Sequence, residues 1–359
     1  MPVTLRSEAG ELLLSWLYRI GSLYDFAPRE LLGISGRPID LAIQPDDTAL
    51  QRASRLTRWP VEAIRRQTFL GLRPTWPRRW ATWTAPLEVG CFGHLAFEDL
   101  PRLQVCRSCL REDLAIGTQF LRIGWLSAAS SFCPRHREPL QTPCTVCRGA
   151  NSFYCRRIPP RFGFVCAECD GTLDSGRYDI PIDLSAARLL MQFEAALESA
   201  LDGWAPDPSW VGGCTAKQFL TCIEDLVWVL TWPMADWFGS PAPIKWFQVK
   251  AVPLVGRFQA YRSIRHQLAR SSVWLRRALL AAALGVLCEE ARCILNVGPL
   301  DVRFRRDLPA LWDLLHSSVQ ESLLRRARHW PRQLKTELMG KVGPASPVYS
   351  LRQKSTNYG

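Results

Sequence analysis

Four short knuckles of metal-ligating residues between positions 106 and 169 constrain this chain more than any other feature. Cys106-Arg-Ser-Cys109, Cys144-Thr-Val-Cys147 and Cys166-Ala-Glu-Cys169 are C-x-x-C pairs, and Cys133-Pro-Arg-His136 is a C-x-x-H pair. Two ligands separated by two residues on a tight turn place both donor atoms on one metal, and a second knuckle alongside closes a tetrahedron. Zn²⁺ takes Cys₃His and Cys₄ sets of this kind. Four protein ligands leave no position for water, so such a site is structural. The expected pairing is sequential: Cys106, Cys109, Cys133 and His136 on one zinc; Cys144, Cys147, Cys166 and Cys169 on a second, two Zn per chain. A cross-braced arrangement joining the first and third knuckles stays open. Thiolates also hold iron–sulfur clusters, but the histidine and the ribbon-like pairs favour zinc. Cys155, inside the second loop, is a spare thiol able to replace a ligand. Cys91 and His94 are also two residues apart but lack a partner knuckle and read as structural. Cys214, Cys222, Cys288 and Cys293 sit singly in apolar segments and read as buried small hydrophobes.

The surroundings of the knuckles fit an intracellular protein. Thirteen cysteines are an odd number, and in a reducing compartment they serve as thiols or ligands rather than as a disulfide framework. The longest apolar run, Ala278 to Cys288, is too short to cross a bilayer. The first residues carry acids within the apolar stretch and lack a small-residue cleavage site, so no signal peptide and a cytoplasmic location are expected.

The expected fold class is mainly α and multi-domain. Residues 1–80 read as an N-terminal helical domain. A helix from Glu8 to Ile20, capped by Ser7, would carry Leu12, Leu13, Trp16, Leu17 and Ile20 on one stripe. Asp46-Asp47-Thr48 precedes a second helix bearing Ala49, Ala53 and Leu56. Trp59-Pro60 breaks it, and Pro60 suits the start of a third, Val61 to Phe69. The last two form a helix-turn-helix pattern. Residues 81–175 read as the tandem zinc-binding domain, with the insert Asp113–Ser131 as one helix across the knuckles. Residues 176–340 read as a helical C-terminal domain, with helices at 184–201, 216–232, 271–291 and 308–329. Residues 341–359 read as a flexible tail.

Charge marks possible contact surfaces. Lys and Arg total 45 against 33 acids, for a formal net charge of +12, which speaks to anionic partners rather than to fold. Arg52, Arg55, Arg58, Arg65 and Arg66 lie on the helix-turn-helix pattern and could face DNA or be solvated. Arg262, Arg265, Arg276, Arg277, Arg325 and Arg326 form further basic stretches that could meet phosphate or acidic protein. Only six of the 45 bases are Lys, so genomic base composition explains part of the excess. Neither a phosphate-binding G-x-x-x-x-G-K-[ST] nor H-E-x-x-H or G-x-S-x-G occurs, and the expectation is a protein without enzyme activity.

The order of features resembles the TniQ family of transposition proteins. The residues that carry the resemblance are Glu11-Leu12-Leu13-Leu14-Ser15-Trp16-Leu17-Tyr18-Arg19, then Cys106-Arg-Ser-Cys109-Leu110-Arg-Glu112-Asp113, Trp125, Cys133-Pro134-Arg-His136-Arg-Glu-Pro-Leu140 and Cys144-Thr-Val-Cys147. It covers about residues 8–170. Arg107 stands where the family often has Pro. The resemblance implies a target-selection adaptor that links an AAA+ transposition regulator ATPase, and through it the transposase, to a chosen site. Some relatives recognise target DNA directly. Others, in CRISPR-associated transposons, take the address from an RNA-guided effector complex and act as homodimers. A different reading of the same residues is a sequence-specific zinc/helix-turn-helix DNA-binding protein of regulator type. A metal-dependent nuclease is a third.

Overall fold

A computed structural model of the full chain describes residues 5–34, 41–82, 104–142, 144, 153–158, 161–166, 168–174, 182–206, 214–231, 247–249, 267–271, 273–295, 297–299, 325 and 330. The fold is mainly helical, with two small two-stranded antiparallel sheets. The chain divides into two compact units. The first is Met1–Pro181 with Leu268–Arg276, and the second is Ile182–Gln267 with Arg277–Gly359. The residues expected to form separate N-terminal and zinc-binding domains therefore fall in one unit.

In the first unit, α1 runs Leu13–Gly21. It starts later than Glu8 because Gly10, at φ +73, turns the chain. Ser7 does not cap it: its hydroxyl donates to the Glu8 carbonyl. The turn is closed instead by Glu11, whose carboxylate accepts from the Glu8 amide at 2.9 Å. Leu12, Leu13, Leu14, Trp16, Leu17 and Ile20 are all buried, so α1 is apolar nearly all round and sits inside the unit rather than on its surface. After the short α2 (Pro28–Leu31) comes α3, Asp47–Thr57. Asp46 caps α3 by accepting from the Ala49 amide at 2.7 Å. Arg58 ends it in the left-handed conformation.

The third expected helix is cut short. Its residues form α4 (Val61–Arg65) and α5 (Phe69–Leu72) instead of one run to Phe69. Thr68 divides them: its hydroxyl donates to the Arg65 carbonyl and accepts from the Gly71 amide. Gly71 lies so close to the end of α4 that a Cβ there would stand 1.8 Å from the Arg65 carbonyl oxygen, and only glycine permits that approach.

Among the described residues, the cysteine-knuckle region contains one α-helix and one hairpin. Helix α6 covers Arg107–Ile116 and ends at Gly117, φ +116. The expected helix over Asp113–Ser131 is therefore not found; a 3₁₀ turn at Ile123–Leu126 occupies its second half. Strands β1 (Phe153–Ile158) and β2 (Arg161–Cys166) pair antiparallel, Phe153 opposite Cys166. Gln119 ties α6 to this hairpin. Its side-chain amide donates to the Leu110 carbonyl at 3.0 Å and accepts from the Phe164 amide at 2.8 Å.

In the second unit, α7 (Leu184–Leu201) and α8 (Ala216–Thr231) pack together, with Phe193 edge-on to Phe219 at 6.0 Å. Asp183 caps α7, and Thr215 with Gln218 forms a reciprocal capping box on α8. The expected helix over 271–291 is two, α10 (Val273–Leu287) and α11 (Glu289–Leu295), preceded by the one-turn α9 (Gln267–Arg270); Leu268–Arg276, which takes in most of α9 and the start of α10, belongs to the first unit. Strands β3 (Phe247–Val249) and β4 (Val297–Pro299) pair antiparallel. The expected helix over 308–329 lies outside the described residues, apart from Arg325.

Candidate metal centre

Helix α6 begins at the first knuckle. Cys106 is its N-cap, and the Cys109 amide points at the Cys106 sulfur, 3.4 Å away. The second knuckle is a tight turn in which the Arg137 amide donates to the Cys133 carbonyl at 2.8 Å and Arg137 adopts φ +56. The turn at Cys166 and Cys169 repeats this wiring: the Asp170 amide donates to the Cys166 carbonyl at 2.9 Å, and Asp170 also has φ +56. Of these three half-sites, one is thus a helix N-terminus, and the other two are the same turn used twice.

These elements bring the predicted ligands together. Cys106, Cys109, Cys133 and His136 present donor atoms all within 4.8 Å of one another. The His136 Nδ1 lies 3.3 Å from the sulfurs of Cys106 and Cys109 and 3.7 Å from that of Cys133. Cys109 and Cys133 are 3.7 Å apart, sulfur to sulfur. A tetrahedral zinc with its usual bond lengths has S···S edges of about 3.8 Å and S···N edges of about 3.6 Å. The Cys109–Cys133 distance matches such an edge, and the distances from His136 Nδ1 to the sulfurs lie within about 0.3 Å of one. The first knuckle joins the second, as sequential pairing requires, and not the third.

The second cluster is Cys144, Cys166 and Cys169, again within 4.8 Å, with Cys144 and Cys169 3.5 Å apart. Cys147, its expected fourth ligand, lies outside the described residues, as do Cys91 and His94. Both clusters could hold a metal ion. Cys155 does not stand in for a ligand: it is buried on β1, and desolvation pushes its thiol up to about 12, which makes it inert. Cys214 and Cys222 are buried as expected, whereas Cys293 is exposed.

The motif residues around the first cluster each have a definite task. Glu112 accepts from His136 Nε2 at 2.9 Å and pairs with Arg135 at 2.7 Å. Burial is the largest single influence on His136 and works against a charge, but the hydrogen bonds and charges of Glu112 and Cys133 together raise the imidazole's pKa. Asp113 holds Arg122 through two bonds of 2.8 Å, and the guanidinium stacks on Phe120 and Trp125. In the same unit, the buried Glu11 carboxylate bonds to Ser15 at 2.9 Å and to Arg19 Nε at 2.8 Å. Ser15 Oγ in turn accepts from the Leu121 amide, and the Leu12 amide donates to the Leu121 carbonyl. The N-terminal helix is thus fastened to the segment that follows α6.

Residues 2–140 match the family model named TniQ. This part of the chain is a TniQ domain. No curated protein and no solved structure matches the chain. The TniQ domain contains the whole first cluster and both fastening networks; the second cluster begins just beyond it.

The basic residues divide by position. Arg52 donates to the carbonyls of Leu32 and Gly33. Arg65 is paired with Asp47 at 3.1 Å and Glu62 at 3.6 Å. Arg55, Arg58 and Arg66 are exposed, as is Arg325. Arg276 and Arg277 are not surface cations. Arg276 is buried and bonded to Gln104 Oε1 at 2.9 Å and to the Leu268 and Ser271 carbonyls. Arg277 is buried as well, and desolvation pulls its pKa down to about 10 against the favourable charge of Glu194. Arg262, Arg265 and Arg326 lie outside the described residues. The tasks of Glu112, Asp113 and Gln119 were missed in the sequence. The signal for the first two was their spacing, one helical turn beyond Cys109.

Among the described residues, no helix is long and apolar enough to cross a membrane.

Proposed function

We propose that the chain is a transposition target-selection adaptor. It connects a target-recognition complex, or target DNA itself, to the AAA+ transposition regulator and through it to the transposase. The TniQ match over residues 2–140 carries this reading. The site geometry supports it. The acids of the shared motifs are engaged in holding the fold: Glu11 on Arg19, Glu112 on His136, Asp113 on Arg122. Zinc in the two clusters would keep the recognition surface in shape. The recognition complex is an RNA-guided CRISPR effector in one branch of the family, and the adaptor works there as a homodimer in the cytoplasm on nucleoid DNA.

The regulator reading is weaker on one observation. The second helix of the helix-turn-helix pattern, α4, has five residues, too few to lay a recognition surface along a major groove. Size-exclusion chromatography of the full chain with an AAA+ transposition regulator ATPase, in ATP, should give a co-eluting complex. Duplex DNA alone should be bound weakly and without sequence preference. No association with the ATPase, together with tight, sequence-selective duplex binding that falls steeply with salt, would replace the adaptor by the DNA reader.

A further inference from the structure

Glu112 is exposed, yet it touches the first cluster at a decisive point. His136 directs Nδ1 at the sulfurs of Cys106, Cys109 and Cys133, leaving Nε2 on the outer side of the ring, where one oxygen of Glu112 meets it at 2.9 Å. The other oxygen is held by Arg135, the residue before His136, at 2.7 Å. The carboxylate reaches both because α6 places position 112 one turn beyond Cys109, on the same side of the helix. An Nε2–H donated to Glu112 fixes the tautomer with a free lone pair on Nδ1, the form that a metal requires.

We propose that Glu112 is a positioning residue: it selects the tautomer and ring orientation of His136 and thereby sets the metal affinity of the first cluster. This holds whether or not the protein is an adaptor, since it concerns metal binding alone. The plain alternative is that Glu112 merely ties α6 to the second knuckle through Arg135.

The two roles separate in the full chain, by zinc release to a chromophoric chelator and by the absorption spectrum of the cobalt(II)-loaded protein. Glu112→Ala is expected to weaken one zinc equivalent by about tenfold, the low end for lost partners of metal-bound histidines, and to alter the Cys₃His cobalt bands. Glu112→Gln keeps an acceptor oxygen for Nε2–H and should retain most of the affinity and the unaltered spectrum. Arg135→Ala removes the tie alone and should leave both readouts as in the parent. Hydrogen exchange of α6 in saturating zinc checks that all three variants are folded. An affinity unchanged in Glu112→Ala, or a loss of equal size in Arg135→Ala, would overturn the proposal.

Discussion

Exchange of Cys133 for serine is expected to remove one zinc per chain and to unfold the first unit as a whole. The sulfur is 1% exposed and touches both Cys109 and His136. Without it, three donor groups remain buried around an incomplete shell. Structural zinc supplies about 10–16 kcal/mol in small metal-held modules, whereas a whole domain is stable by only about 5–15 kcal/mol. Loss of the site therefore exceeds what the remaining packing can offset. Hydrogen exchange should show α1, α6 and the β1–β2 hairpin losing protection, because α6 starts at the cluster and Gln119 links it to the hairpin. Helices α7 and α8, which carry no metal cluster among their described residues, should keep theirs. Cys155→Ser is the control: it removes another buried thiol, one outside both clusters, and should leave zinc content unchanged.

Arg19→Met is the second large effect. Arg19 and Glu11 form an ion pair with side chains 3% and 0% exposed. Removing one member of such a pair leaves a buried charge without its partner and costs about 3–5 kcal/mol. Burial already raises the Glu11 carboxyl, and Arg19 is the main influence holding it down. In Arg19→Met the carboxyl rises further. The folded state then binds more protons than the unfolded one, so the deficit should shrink as the pH is lowered. Denaturant titration of the full chain, with zinc release as the reporter of the first unit, measures both the loss and its pH dependence. Adding Glu11→Leu should recover part of the loss. A double variant whose loss equals the sum of the two single losses would show that the pair is not coupled.

The ligands were legible in the sequence because a C-x-x-C or C-x-x-H spacing demands local turn geometry, whatever the rest of the chain does. The limits of α7 were equally plain: a steady apolar repeat from 184 to 201 needs no tertiary information. Long-range bonds governed what could not be read. Nothing local announces that the Leu12 amide and the Ser15 hydroxyl fasten the start of α1 to Leu121, or that Gln119 joins α6 to a strand 45 residues away. Charge misled for the same reason. Arg276 and Arg277 look like their neighbours in a basic run, and only Gln104 and Glu194, distant in sequence, turn them into buried partners.

Two structural zincs holding a TniQ-containing unit together is the central claim, and native mass spectrometry of the full chain, purified without chelator, tests it most directly. The predicted result is a single folded species carrying two zinc ions, which shifts to highly charged, unfolded states when a chelator removes them. A compact, folded species without bound metal would contradict it.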